Sequence, residues 1–93
     1  MNKPVKIAFF GSDEIALPCL QALSKSLDIV EISAVLTQPD RRSGRGRTLH
    51  SNAIKQWAIE SSVPIRDPQK PGIEEVTWLN GLGVELILVM AYG

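Results

Sequence analysis

The most chemically loaded stretch of the chain is Arg41-Arg42-Ser43-Gly44-Arg45-Gly46-Arg47, with four guanidiniums in seven positions. Such groups offer planar, bidentate pairing to phosphate oxygens and can stack on bases. Lys55 follows, and no acid falls between Asp40 and Glu60, although the 10 basic and 10 acidic side chains of the whole sequence cancel. A basic run in a neutral chain speaks of a local partner rather than of solubility. Gly44 and Gly46 let the backbone bend and lie close to another molecule. Crowded like charges resist compaction without an anion, so the run points to nucleic-acid phosphates; the plainer alternative is a solvated charged loop.

The remaining candidates are weaker. The turn Gly11-Ser12-Asp13 lacks the three spaced glycines that let a backbone approach a pyrophosphate, which disfavours a nicotinamide or flavin role. A serine-capped strand-to-helix turn competes there with Ser12 and nearby amides lining a substrate crevice. His50 is the single histidine and Cys19 the single cysteine, so the pair makes neither a metal site nor an internal disulfide. His50 reads as a surface side chain and Cys19 as a small buried hydrophobe. Tyr92 suits a rim aromatic or a pocket wall equally well.

The elements that would hold these residues follow from periodicity. With 93 residues, 44% hydrophobic and 22% charged, one small domain is expected. Val5 to Phe10 is almost continuously apolar, as a strand buried on both faces should be. A turn at residues 13–17 precedes a helix from Pro18, where proline is tolerated in the first turn, with Leu20, Leu23 and Leu27 as its stripe. Ile29 to Thr37 reads as a second strand and residues 41–50 as a loop. Ser51 is a plausible cap for a helix carrying Ile54, Trp57 and Ala58 on one face. A short strand around Val63-Pro64-Ile65, a helix marked by Ile73, Val76 and Leu79, and a last strand from Val84 to Ala91 complete the chain. Strands alternating with helices predict an α/β fold: an open parallel twisted sheet of order 3-2-1-4 with helices on both faces, half of a Rossmann-like unit. Ligands of such sheets gather at the carboxyl ends of the strands, here Gly11-Ser12, Thr37-Gln38 and Ala91-Tyr92-Gly93. The longest apolar run, Leu86 to Ala91, is too short to span a bilayer, the amino terminus carries no signal-peptide pattern, and the lone cysteine fits a reducing cytoplasm.

The block Thr37-Gln38-Pro39-Asp40-Arg41, continued by Gly44-Arg45-Gly46, resembles that of the methionyl-tRNA formyltransferases. The opening strand ending Gly11-Ser12, the Val63-Pro64 step and the closing Val89-Met90-Ala91-Tyr92-Gly93 extend the resemblance over the chain. It departs at Ser12-Asp13, where many members carry threonine or serine followed by proline. The resemblance implies formyl transfer from 10-formyltetrahydrofolate to the α-amine of methionine on initiator tRNA, in the cytoplasm, without a metal. It also implies a basic loop that enters the acceptor arm. Arg45 would then discriminate the acceptor end, Arg41, Arg42 and Arg47 would contact phosphates, and Gly44 and Gly46 would supply flexibility. Gly11, Ser12, Tyr92 and Gly93 would border the substrate crevice.

The same resemblance places the reacting asparagine, histidine and aspartate, most of the folate pocket and a carboxy-terminal tRNA-binding domain after residue 93. Residues 1–93 are therefore expected to be the amino-terminal part of a formyltransferase domain, inactive alone. An unpaired, apolar last strand would favour self-association. Three other readings compete. A sugar-nucleotide formyltransferase or formyltetrahydrofolate hydrolase should lack the Gly-Arg-Gly loop; a non-catalytic RNA-binding module would bind tRNA unaided; a nucleotide-dependent oxidoreductase needs the missing glycines.

Overall fold

The computed structural model describes residues 3–43 and 48–92. Four parallel strands form the main sheet: β1 (Val5–Phe10), β2 (Val30–Leu36), β5 (Ile65–Arg66) and β6 (Leu86–Val89), in the order β5-β2-β1-β6. This is the 3-2-1-4 order expected of an α/β, Rossmann-like half. Helices α1 (Leu17–Ser24), α2 (Ala53–Glu60) and α3 (Ile73–Gly81) connect the strands. Residues 41–50, expected as a loop, instead contain β3 (Arg41–Ser43) and β4 (Thr48–His50), paired antiparallel. Pairing gives backbone donors and acceptors the partners that a bare loop would seek from water.

The two faces of the sheet separate by alternation. Phe9 and Val35 join Ala16, Leu20, Ile54 and Ala58 in a cluster under α1 and α2. Ala8 and Ala34 point the other way, against Leu79 of α3. Small residues there let α3 lie close to the sheet. β2 carries one irregularity: Ile7 faces Ile32 but Ala8 faces Ala34, so Ser33 is an extra residue. That extra residue is what allows Ile32 and Val35, an odd number of positions apart, to pack in the same cluster.

Helix boundaries correct several expectations. The turn after β1 is a 3-10 helix, Glu14–Ala16, and α1 begins at Leu17 with Pro18 in its first turn. Leu20 is fully buried and Leu23 partly so, but α1 ends at Ser24 and Leu27 lies beyond it, exposed. Cys19, partly buried, packs beside that cluster as a small hydrophobe. α2 is capped by Asn52 rather than Ser51; Asn52 Oδ1 accepts the Lys55 N–H at 2.8 Å, while the Ser51 carbonyl accepts from Gln56 Nε2. β5 lies further along than the Val63 step suggested. On α3 only Leu79 of the expected stripe is buried; Ile73 is 76% exposed and Val76 50%. Glu75 takes the inward position because its carboxylate accepts the Gly72 N–H at 2.9 Å and faces Arg66.

β6 was expected from Val84 to Ala91, as an apolar strand left at an edge. It is shorter, pairs with β1 alone among the described residues, and leaves Leu86, Ile87 and Val89 exposed. No described helix is long and apolar enough to cross a membrane, and no cluster of His, Cys, Asp and Glu among the described residues could hold a metal.

This packing is testable by urea denaturation. Phe9→Ala, at a fully buried position, should cost about 3–5 kcal/mol by transfer and cavity terms together. Ile73→Ala should stay within about 0.5 kcal/mol, as an exposed substitution does. A large loss at Ile73 would restore the apolar stripe as the buried face of α3.

Candidate functional site

The carboxyl ends of β1, β2 and β6 converge. Gly11 donates its N–H to the Leu36 carbonyl at 3.1 Å, and Met90 donates to the Phe10 carbonyl at 2.9 Å. A Cβ at position 11 would lie 2.8 Å from the Met90 carbonyl oxygen and 2.8 Å from the Phe9 ring. Glycine is required here by close approach of the chains, not by an unusual backbone angle.

Ser12 does not cap a helix. Its hydroxyl donates to the Tyr92 carbonyl at 2.7 Å, with the Ala91 carbonyl at 3.2 Å. The cap is Asp13, whose carboxylate accepts the Ile15 N–H at 3.0 Å. Gln38 Nε2 also donates to the Tyr92 carbonyl, at 3.2 Å. Three strand ends thus meet on one peptide oxygen. The Tyr92 ring packs beside Phe10 with centroids 5.8 Å apart. Its hydroxyl is buried and unpartnered among the described residues, and burial, reinforced by the Glu75 charge, pushes the phenol above its ordinary value. Of the strand-end candidates, Gly11, Ser12 and Tyr92 are brought together; Gly93 lies outside the described residues.

β3 follows this rim directly along the chain, after Asp40, and β4 ends just before Ser51. Arg41 faces His50, Arg42 faces Leu49 and Ser43 faces Thr48 across the β3–β4 ladder. Gly44, Arg45, Gly46 and Arg47 lie outside the described residues.

The base of this hairpin includes two residues that sequence reasoning passed over, Asn52 and Asp67. Asn52 Nδ2 donates to the fully buried Thr37 hydroxyl at 2.8 Å and to the Gln38 carbonyl at 3.3 Å. Lys55 Nζ lies 2.9 Å from Asp40 and 2.9 Å from Asp67, with its side chain only 18% exposed. Lys55, counted in sequence as part of the basic run, is therefore committed to two carboxylates. Its contact with Asp40, then that with Asp67, raise its pKa above the ordinary 10.5; the Lys55 contact in turn holds Asp40 below 3.8. The spacing of Asn52 before an apolar helix was the available signal for the cap. Nothing local marks Asp67, inside a proline-rich stretch, as a partner of Lys55. On the far side of β5, Arg66 sits over the Trp78 ring at 5.1 Å and 3.5 Å from Glu75.

No protein-family profile matches the chain. Individual curated sequences do. A methionyl-tRNA formyltransferase of Legionella pneumophila (strain Paris) is 41% identical over 88 residues, which cover 94% of this chain and 27% of the relative. Those of Sorangium cellulosum and Clostridioides difficile are 40% and 38% identical, each over 96% of this chain and 28% of theirs. The chain is a homologue of the methionyl-tRNA formyltransferases over nearly its whole length. It spans a little over a quarter of the length of these formyltransferase relatives.

The Asp40–Lys55 pair gives a pH test. Asp40 has a lowered folded pKa, so its stabilisation is present above the unfolded value of 3.8 and is lost as pH falls through the folded pKa. Lys55 has a raised one, so its share is present below 10.5 and is lost as pH rises through the still higher folded value. Thermal melts of wild type and Asp40→Ala should therefore differ through neutral pH and converge below 3.8. An unchanged difference at low pH would show that Asp40 acts other than as a carboxylate.

Proposed function

We propose that this chain is the part of a methionyl-tRNA formyltransferase that presents a basic β-hairpin to the acceptor arm of initiator tRNA. Supporting this is the ladder that makes Arg41–Ser43 and Thr48–His50 two legs of one projection at the sheet's ligand-binding rim. The relatives' names, which state a tRNA substrate, agree. A two-stranded ribbon with guanidiniums can track phosphates while the sheet fixes its direction. Arg45 discriminates the acceptor end; Arg41, Arg42 and Arg47 contact phosphates; Gly44 and Gly46 permit close approach. This work belongs to translation initiation in the cytoplasm, where the single cysteine stays reduced.

Formyl transfer needs a neutral amine as nucleophile and donors for the charged tetrahedral intermediate. The reading assigns those groups, an asparagine, a histidine and an aspartate, to polypeptide outside residues 1–93. The formyl donor, 10-formyltetrahydrofolate, finds little here. Ser12 and Gln38 are spent on the Tyr92 carbonyl, leaving the Tyr92 hydroxyl as the orphaned group among the described residues. One phenol does not hold a pteridine, and no step through the donor follows from these residues. Gly11, Ser12, Tyr92 and Gly93 border the crevice rather than react in it. Alone, the 93 residues should show no formyl transfer.

In a protein of the relatives' length, Arg45→Ala should slow formylation of methionyl-tRNA by about tenfold or more at limiting tRNA, as loss of one discriminating contact does. An unchanged rate would refute the assignment. For the isolated chain, the exposed Leu86, Ile87 and Val89 and the unpaired side of β6 favour a second copy as partner. Sedimentation velocity should show species above the monomer that grow with concentration. A single monomeric boundary at the highest concentration would contradict this.

A further inference from the structure

The hairpin enters after β2 at Thr37–Asp40 and returns at Ser51–Asn52. Both junctions are tied. Asn52 Nδ2 joins the returning leg to the Thr37 hydroxyl and the Gln38 carbonyl of the entering leg, at 2.8 and 3.3 Å. Lys55, one turn into α2, holds Asp40 just before β3 and is held in turn by Asp67 after β5, both at 2.9 Å. The entering leg is fixed to the sheet as well: Thr37 donates its N–H to the Arg66 carbonyl at 3.0 Å, and Gln38 Nε2 reaches the Tyr92 carbonyl at 3.2 Å. A two-residue leg with one such tie could still pivot; several ties from α2, β5 and the end of β6 leave little freedom.

We propose that Asn52, Asp40 and Lys55 are positioning residues for RNA, a clamp that fixes the angle at which the β3–β4 hairpin meets the acceptor arm. The proposal rests on the RNA-binding reading above and adds to it the residues that aim the hairpin. None of the three donates charge to a phosphate. Lys55 is mostly covered and faces two carboxylates, so the clamp together with Asp67 carries one net negative charge at the hairpin's foot. Long-range electrostatics alone would make that acid a liability beside a polyanion. Its worth must come from geometry, through ordering that RNA would otherwise have to impose on binding.

That opposition of signs makes the clamp testable. Affinity for an acceptor-stem RNA is measured against salt for wild type, Asn52→Ser, Asp40→Ala and Arg42→Ala. Serine still caps α2 but is too short to reach Thr37, so helicity and melting should hold while the clamp is lost. Asn52→Ser and Asp40→Ala should each weaken binding about fivefold at every salt concentration, with the slope of log affinity against log salt unchanged. Arg42→Ala should instead flatten that slope by about one. Tighter binding by Asp40→Ala, or wild-type affinity in a folded Asn52→Ser, would overturn the clamp while leaving the RNA reading intact. Absence of salt-dependent binding in wild type, or an unaltered slope in Arg42→Ala, would overturn the RNA reading and the clamp with it.

Discussion

A carbonyl oxygen crowds the place where the side chain of residue 11 would begin. Met90 O approaches the vacant Cβ position of Gly11 to 2.8 Å, while Gly11 donates its own N–H to Leu36. The central strand can therefore have close neighbours on both sides at its very end. Everything polar at that rim depends on this approach. The Tyr92 carbonyl comes within reach of both Ser12 and Gln38 only because β6 and β2 are drawn against β1 there. A larger residue would push β6 outward, and burial of β1 between two neighbours would be lost with it.

From that fixed rim the basic hairpin takes its direction. The insertion lies between a strand whose last residue before it, Thr37, is fully buried and a helix whose cap is Asn52. One asparagine thus performs two tasks with its two ends: the oxygen starts α2, and the nitrogen binds the other leg. The charge is divided in a comparable way. Arg41 and Arg42 lie on β3, whereas the lysine in the same acid-free run is withdrawn into pairs with Asp40 and Asp67. Guanidiniums suit forked recognition of phosphates; an ammonium with several donors suits bridging two carboxylates.

The sheet was legible because its signals are local and redundant. The nearly continuous apolar run at Val5–Phe10 and the apolar residues between Ile29 and Thr37, separated by helical periodicity, gave strand type, sheet class and order without any contact information. Three features were hidden. The inward side of α3 cannot be read from apolar spacing, since Glu75 is buried through a backbone cap and Arg66 while Ile73 faces water. The hairpin was hidden because three-residue strands are too short for a period, and glycine with arginine suggests an open loop. Lys55 looked like one more free cation because its second partner, Asp67, is brought close only by the parallel crossover to β5. Topology placed Gly11, Ser12 and Tyr92 at neighbouring strand ends, but the bond from Ser12 to the Tyr92 carbonyl is a long-range fact that no turn motif encodes.

The central claim is that the β3–β4 hairpin, and no other surface of this chain, meets RNA. An amide NMR titration of the chain with an acceptor-stem RNA at low salt tests it most directly. Shifts should concentrate in the backbone of residues 40–52 and fade as salt rises. Shifts centred instead on Arg66 and Trp78, or spread evenly over the basic residues of the chain, would contradict it.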